Sequence, residues 1–275
     1  MTFKAILNMT TGAAIFAASF AWAGSNDPVA LPAAGHAADV VFLGEQHDNP
    51  VHHERQAAWV AELKPAALVF EMLTTDQAAL VTSDNRNDAE ALEAVLNWHA
   101  SGWPDFSMYF PIFDAAPDAA VYGAAVPREK LREMMELAPE DVIGADTVQL
   151  FALNTPLPED QQAAREALQR TAHCNALPDD LLPRMVSVQR VRDAALAQAA
   201  LDALETTGGP VVVITGNGHA RQDWGAPFLL RLADATVDVF SIGQGEAGQI
   251  PDGGFGFVAD APAVDRGDPC DAFRQ

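Results

Sequence analysis

Two spacings organise the apolar positions of this chain. Runs of six to eight mostly apolar residues, several of them β-branched, occur at 39–44 (DVVFLG), 66–71 (AALVFE), 119–126 (AAVYGAAV), 210–216 (PVVVITG) and 236–243 (TVDVFSIG). Runs this short and continuous predict strands buried on both faces, not the half-polar strands of a solvated sheet. Between them, apolar residues recur about every 3.6 positions. That spacing predicts helices from Pro50 to about Leu63, over 75–81, 88–99 and 128–137, and a long one over 181–204. Asp48 or Asn49 can cap the first of these, with Pro50 in its first turn. The stretch 102–113 (GWPDFSMYFPIF) is aromatic and broken by prolines, and reads as a loop or the start of a helix. Residues 138–182 are rich in Pro, Asp and Gln and read as an insertion of helices and loops. Strands that alternate with helices predict an α/β fold: a mostly parallel sheet with helices on both faces and a helical insertion.

The first residues do not fit this pattern. Lys4 is followed by an Ala-rich apolar run that ends in Ala21-Trp22-Ala23. This is the layout of a Sec-type signal peptide cleaved after Ala23, which predicts an exported, periplasmic protein. The run is short for a bilayer span and is interrupted by Asn8, Thr10 and Thr11, so stable membrane insertion is not expected. The expected organisation is a signal peptide over 1–23, a Pro/Ala-rich lead-in loop over 24–38 and a single α/β domain over 39–275. The formal net charge of −22, from 38 acids and 16 bases, argues against nucleic acid as a partner. Cys174 and Cys270 are the two cysteines. In an oxidising compartment they are expected to form one disulfide that ties the C-terminal tail to the middle of the chain.

Candidate chemistry collects where the predicted strands end. Glu45 and His47 follow the first, Glu71 the second, Arg128 the third, and Asn217 and His219 the fourth. In a parallel sheet these ends share one edge, where ligands bind. Two carboxylates placed directly after apolar runs need partners, and the histidines are candidates. His52 and His53 lie in the first helical turn about a hundred degrees apart, so at most one is expected to face the crevice. His53 is the better choice, and His52 is expected to face solvent. "HERQA" fails the HExxH pattern because Ala57 stands at its end, and no GxSxG or phosphate-binding glycine motif is present. Tyr109, in the aromatic stretch, could face a ligand, and a tyrosinate can hold ferric iron. Ordinary packing beneath a loop is the alternative. In the long helix, Arg192 or Asp193 could reach into the crevice.

In order along the chain, "LGEQHDNPVHH", "FEM", "PRE", "QRVRDAALA" and "TGNGHARQDWGAP" resemble the pattern of ChaN-like proteins, the haem-binding uptake group of the Tiki superfamily. The resemblance spans roughly residues 40–242. It implies an α/β fold with its site at the strand C-termini and a periplasmic protein that binds haem in haem or iron uptake, with homodimers among the haem-binding members. It places Glu45, His47, Glu71 and His219 in the family's polar cluster. Tyr109, His53, Asn217 and His219 become candidate haem contacts, with Arg128 for a propionate. The chain lacks the lipid-accepting cysteine of the best-known uptake members, which implies a soluble form. The wider superfamily also contains erythromycin-esterase-like hydrolases and TraB-type proteins. The alternative is therefore a hydrolase in which Glu45, His47, Glu71 and His219 are catalytic, with His47 as general base, or hold a divalent metal.

Overall fold

The computed structural model describes residues 29–268, 270 and 271 of the chain. The expected signal peptide lies outside these residues. The elements run α1 (Ala33–Ala37), β1 (Val40–Glu45), α2 (Pro50–Leu63), β2 (Ala67–Phe70), α3 (Thr75–Ala78), α4 (Ala89–Leu96), α5 (Phe106–Asp114), β3 (Ala120–Gly123), α6 (Arg128–Glu133), α7 (Pro139–Ile143), α8 (Ala145–Leu150), α9 (Glu159–Ala172), α10 (Leu182–Thr207), β4 (Val211–Gly216), α11 (Asn217–Ala220), α12 (Ala226–Ala233), β5 (Val239–Glu246) and β6 (Phe257–Ala261). Six strands form one sheet in the order β3-β2-β4-β1-β5-β6, and every pairing is parallel. The five expected strands are present, and β6 adds a sixth from a short run that follows a glycine-rich loop.

Alternation along the strands builds two cores. Val41 and Leu43 of β1 point, with Leu68, Phe70, Val212 and Ile214, into a layer shared with Trp59, Leu92, Phe106 and Tyr109. Val40 and Phe42 point the other way, with Ala67, Val69, Val211 and Val213, against Val191, Ala194 and Ala197 of α10 and Leu230 of α12. Helices thus cover both faces, and the sheet takes the continuous apolar runs seen in the sequence. The helices α7, α8 and α9 form the expected insertion.

Two segments differ from the sequence reading. The lead-in is not all loop, because residues 33–37 form the short helix α1. The proline-broken aromatic stretch is largely helix. Asp105 caps α5 by accepting from Ser107 N at 2.8 Å, and Pro111 is accommodated inside it. Aromatic packing holds it there: Phe113 stacks on Phe70 with centroids 4.3 Å apart, and Trp98 meets Phe106 at 5.1 Å and Tyr109 at 4.8 Å. Such pairs favour the helix beyond their burial alone and outweigh one missing amide.

The chain order sets the crevice. From β1 the chain crosses by α2 to β2, on one side of the sheet order; from β4 it crosses by α12 to β5, on the other. β1 and β4 are neighbours, so their C-terminal loops part at a topological switch point.

Candidate functional site

β1 ends on Glu45, which is 1% exposed and surrounded by donors. Its Oε1 accepts from His47 Nδ1 at 2.7 Å and from the Tyr109 hydroxyl at 2.8 Å, and its Oε2 accepts from Gln56 Nε2 at 2.8 Å. His53 Nδ1 lies 3.5 Å from Oε2. Burial alone would raise the Glu45 pKa; the His47 hydrogen bond and the nearby His53 and His47 charges bring it below its ordinary value. The same pairing acts in reverse on His47. Burial disfavours its charge, but the Glu45 hydrogen bond and the Glu71 and Glu45 charges raise it to about 9. The His47 side chain is one-third exposed, meets Trp103 edge-on at 4.8 Å, and has no hydrogen bond at Nε2 among the described residues.

β2 delivers Glu71, buried between β4 and α10. Its Oε2 accepts from Thr215 Oγ1 at 2.6 Å and from Gly216 N at 2.8 Å; Arg192 Nη2 of α10 donates to Oε1 at 2.5 Å, and His219 Nε2 lies 3.7 Å from the same oxygen. Burial would raise this carboxyl, but His219, His47 and Arg192 hold it far below the usual carboxylate range. His219 is pinned from behind: its Nδ1 is 2.6 Å from Oδ1 of buried Asp193, whose own pKa burial pushes upward. Two histidine–carboxylate pairs, Glu45–His47 and Asp193–His219, therefore flank Glu71 and Arg192. Gly216 lies between them, and a Cβ there would come within 2.9 Å of His47 Nε2 and 3.7 Å of Glu71 Oε2.

Two adjoining hollows share Glu71 and Arg192. One, of about 370 Å³, is polar and bordered by Glu45, His47, Gly218, His219 and Arg221. The other, of about 540 Å³, has walls that include Met72, Trp103, Val126, Leu131 and Leu196, with Arg128 at its rim. Both fall within the size range of small-ligand sites.

The structure brings Glu45, His47, Glu71 and His219 together but corrects several expectations. Tyr109 borders neither hollow: it is fully buried in α5 and donates to Glu45, and burial together with the Glu45 charge raises its pKa above the ordinary phenol value. His53 faces inward but lies beneath the site, with Nε2 donating to His47 O at 2.9 Å. His52 does not face solvent: it is fully buried, Nδ1 accepts from Gln46 N at 2.9 Å, and Nε2 donates to Gly245 O at 3.2 Å. Desolvation lowers its pKa to about 4 and keeps it neutral. Asn217 spends its amide on β5, donating to Gln244 O at 2.8 Å and accepting from Gln244 N at 2.9 Å. Arg128 lines the larger hollow and donates to Ser101 O at 2.6 Å, away from the cluster. Among the described residues, no three His, Cys, Asp or Glu side chains are placed to hold a metal ion. The carboxylate oxygens that a metal would need already accept from Arg192, Thr215, Gly216 and Tyr109.

Arg192 and Asp193, suggested by the sequence only as residues that could reach in, are central. Their signal is the charged cluster Arg190, Arg192 and Asp193 in α10, ahead of the apolar run 194–197. Gln56, Thr215 and Gln244 carry no sequence signal of their own. Cys174 and Cys270 form the expected disulfide.

No curated protein sequence matches this chain. Among solved structures, ChaN of Campylobacter jejuni, described as binding haem cofacially, is 17% identical over 78% of this chain and 84% of its own, with a TM-score of 0.58. The type III effector HopBA1 is 14% identical over 84% and 90% of the two chains (TM-score 0.47), and an erythromycin esterase in an open conformation is 14% identical over 77% and 71% (TM-score 0.41). Residues 32–230 match the family model for haem-binding uptake proteins of the Tiki superfamily, ChaN. That span contains both histidine–carboxylate pairs and every strand that positions them, and the chain belongs to this family.

Proposed function

We propose that this protein binds haem in the cleft above β1, β2 and β4, with His47 Nε2 as the iron donor, and that it does so as an exported component of haem or iron uptake. Haem would supply an iron centre, a flat apolar ring and two propionates. The residues suit that group. His47 Nε2 is unengaged, while its Nδ1 is fixed by buried Glu45, the arrangement that orients metal-binding histidines. The apolar wall of the larger hollow begins beside Trp103, and Arg128 and Arg192 border it as partners for carboxylates. The observation that carries the reading is the half-open His47 anchored from behind. Export is supported by the N-terminal pattern of the sequence. Hemin added to the purified protein is expected to give a saturable, shifted Soret band that is lost in His47→Ala. No saturable change at micromolar hemin, or an unchanged band in His47→Ala, overturns it.

One observation favours a second reading, a hydrolase: two histidine–carboxylate pairs border one polar hollow. In that case His47, raised to about 9, is charged at neutral pH and acts as a proton donor or electrostatic clamp instead of the general base expected from the sequence. Turnover of simple esters that is abolished by His47→Ala and His219→Ala supports it. Turnover that survives both changes removes it.

A further inference from the structure

The C-terminal tail crosses from β6 towards the insertion and is fastened at both ends. Arg266 grips two acids on the way. Its Nε and Nη2 donate to Asp48 at 2.6 and 2.7 Å, and its Nη1 and Nη2 donate to Glu246 at 2.7 Å each. Asn49 joins the same knot, donating to Glu246 Oε1 at 2.6 Å and to Pro262 O at 3.0 Å. Asp48 follows His47 directly in the chain, and Asn49 caps α2. Four residues past Arg266, Cys270 is bonded to Cys174, just beyond α9 of the insertion. The insertion in turn reaches the far side of the polar hollow. Arg165 of α9 lies 5.0 Å from the Trp224 ring centre, and Arg221, which lines the hollow, lies 3.7 Å from it.

We propose that Arg266 is a positioning residue for His47 and that the Cys174–Cys270 disulfide holds it in place, so that the site keeps its ligand only while the tail is tethered. The inner side of the loop 46–49 is anchored on α2, by His53 Nε2 to His47 O at 2.9 Å, Gln46 N to His52 at 2.9 Å and His52 N to Asn49 O at 3.1 Å, while its outer side, at the Asp48 side chain, is held by the tail. Without the tail, Asp48 and Glu246 lose their guanidinium, and the loop that carries His47 keeps only its inner anchors on His53, His52 and Glu45. A guanidinium forked between two carboxylates adds geometric specificity to an exposed ion pair that would otherwise be weak. The bond also removes conformational freedom from the 96-residue separation it closes, which favours the docked tail. The releasing step is thiol–disulfide exchange. A dithiol gives up two electrons and two protons, the bond between the two sulfurs breaks, Cys174 and Cys270 become thiols, and the dithiol leaves as its own disulfide. The ligand-retention part of this inference rests on the haem reading; the tethering part does not.

The test uses the full chain in five forms: oxidised; reduced with a dithiol, alkylated and desalted; Cys174→Ser/Cys270→Ser; Arg266→Ala; and Arg266→Lys. Backbone hydrogen exchange is followed in residues 45–53 and, as a reference, in 211–216 of β4. Hemin dissociation is followed by transfer to an excess of apomyoglobin. Reduction, the double serine variant and Arg266→Ala should each speed exchange in 45–53 and leave 211–216 unchanged. Each should also speed hemin loss by roughly tenfold, the size of a lost charge-assisted anchor. Arg266→Lys, which keeps the charge and loses the fork, should fall between. Unchanged exchange in 45–53 after reduction, or a silent Arg266→Ala, overturns the proposal, as does loss of protection that spreads equally to 211–216. If the oxidised protein takes up no hemin, the haem reading fails and the exchange measurements still decide the tether.

Discussion

Glu45→Gln probes the site at its most connected atom pair. Glutamine has the same shape but only one acceptor oxygen, and three donors reach the carboxylate: His47, Tyr109 and Gln56. In either orientation of the amide, its NH2 group must face a donor. If the NH2 lies on the inner side it meets Gln56 Nε2, and on the outer side it meets both Tyr109 and His47. At least one charge-assisted bond is lost and a buried donor left unpaired, which costs roughly 2–4 kcal/mol after allowing for the relief of no longer burying a charge. The change also alters the pH response. In the parent, Glu45 is held below its ordinary 4.5, so its contribution to stability is present above that value and falls away as pH drops. His47 is held up at about 9, so its contribution is complete below its ordinary 6.5 and is lost as pH rises through 9. Stability from this pair is therefore greatest between about 4.5 and 6.5 and declines on both sides. In Glu45→Gln two of the three influences that raise His47 are gone, and burial pulls its pKa back down. Urea unfolding at pH 5.5, 7 and 9.5, together with an NMR titration of the His47 ring, reads both effects. A variant within ~0.5 kcal/mol of the parent at pH 5.5, the scatter of an ordinary surface change, whose His47 still titrates near 9, would refute the account of this cluster.

Other outcomes follow from the same geometry. Gly216→Ala puts a methyl 2.9 Å from His47 Nε2, so hemin affinity is expected to drop severalfold in a titration while the thermal midpoint changes little. Tyr109→Phe removes a hydrogen bond to Glu45 and should cost about 1 kcal/mol in urea unfolding. Its Soret band with hemin should match the parent, whereas loss of that band would restore tyrosine as the iron ligand. Because an iron donor must give up its proton, hemin affinity measured from pH 6 to 9 should rise with pH as His47 deprotonates, and a flat profile would remove His47 from the iron. Asp193→Ala leaves buried His219 without its 2.6 Å partner, and a loss of about 2–4 kcal/mol in denaturant unfolding is expected.

The sequence disclosed what local chemistry decides. β1, β2 and β4 were visible because strands covered on both faces must be apolar at every position, and α2 because Asn49 and Pro50 mark its start. Residues that close those strands were visible for the same reason, since a charge directly after a buried run has to be accounted for. Contacts made across the fold left no local trace. Pro111 argues against a helix over 106–114 until Phe70 and Trp98 are placed against it, and only then does Tyr109 become a buried donor instead of an exposed ligand. His52 reads as a surface residue until Gly245, far along the chain, is brought to its ring.

The same contrast explains why the cluster resembles a metal site in sequence and does not form one in the fold. Glu45 and Glu71 close β1 and β2, which flank β4 on one sheet edge. Each is instead occupied by protein donors: Glu71 by a backbone amide, a hydroxyl and a guanidinium, and Glu45 by a phenol, an amide and an imidazole. A carboxylate so satisfied gains little by exchanging those partners for a cation, because the donors it releases would be left buried and unpaired. What the two carboxylates do instead is fix their histidines. His47 is held at one nitrogen and open at the other, while His219 is held at Nδ1 by Asp193 and faces Glu71 with Nε2. On the proposed reading the open nitrogen of His47 is where the ligand is taken, and the carboxylates set its direction and its charge.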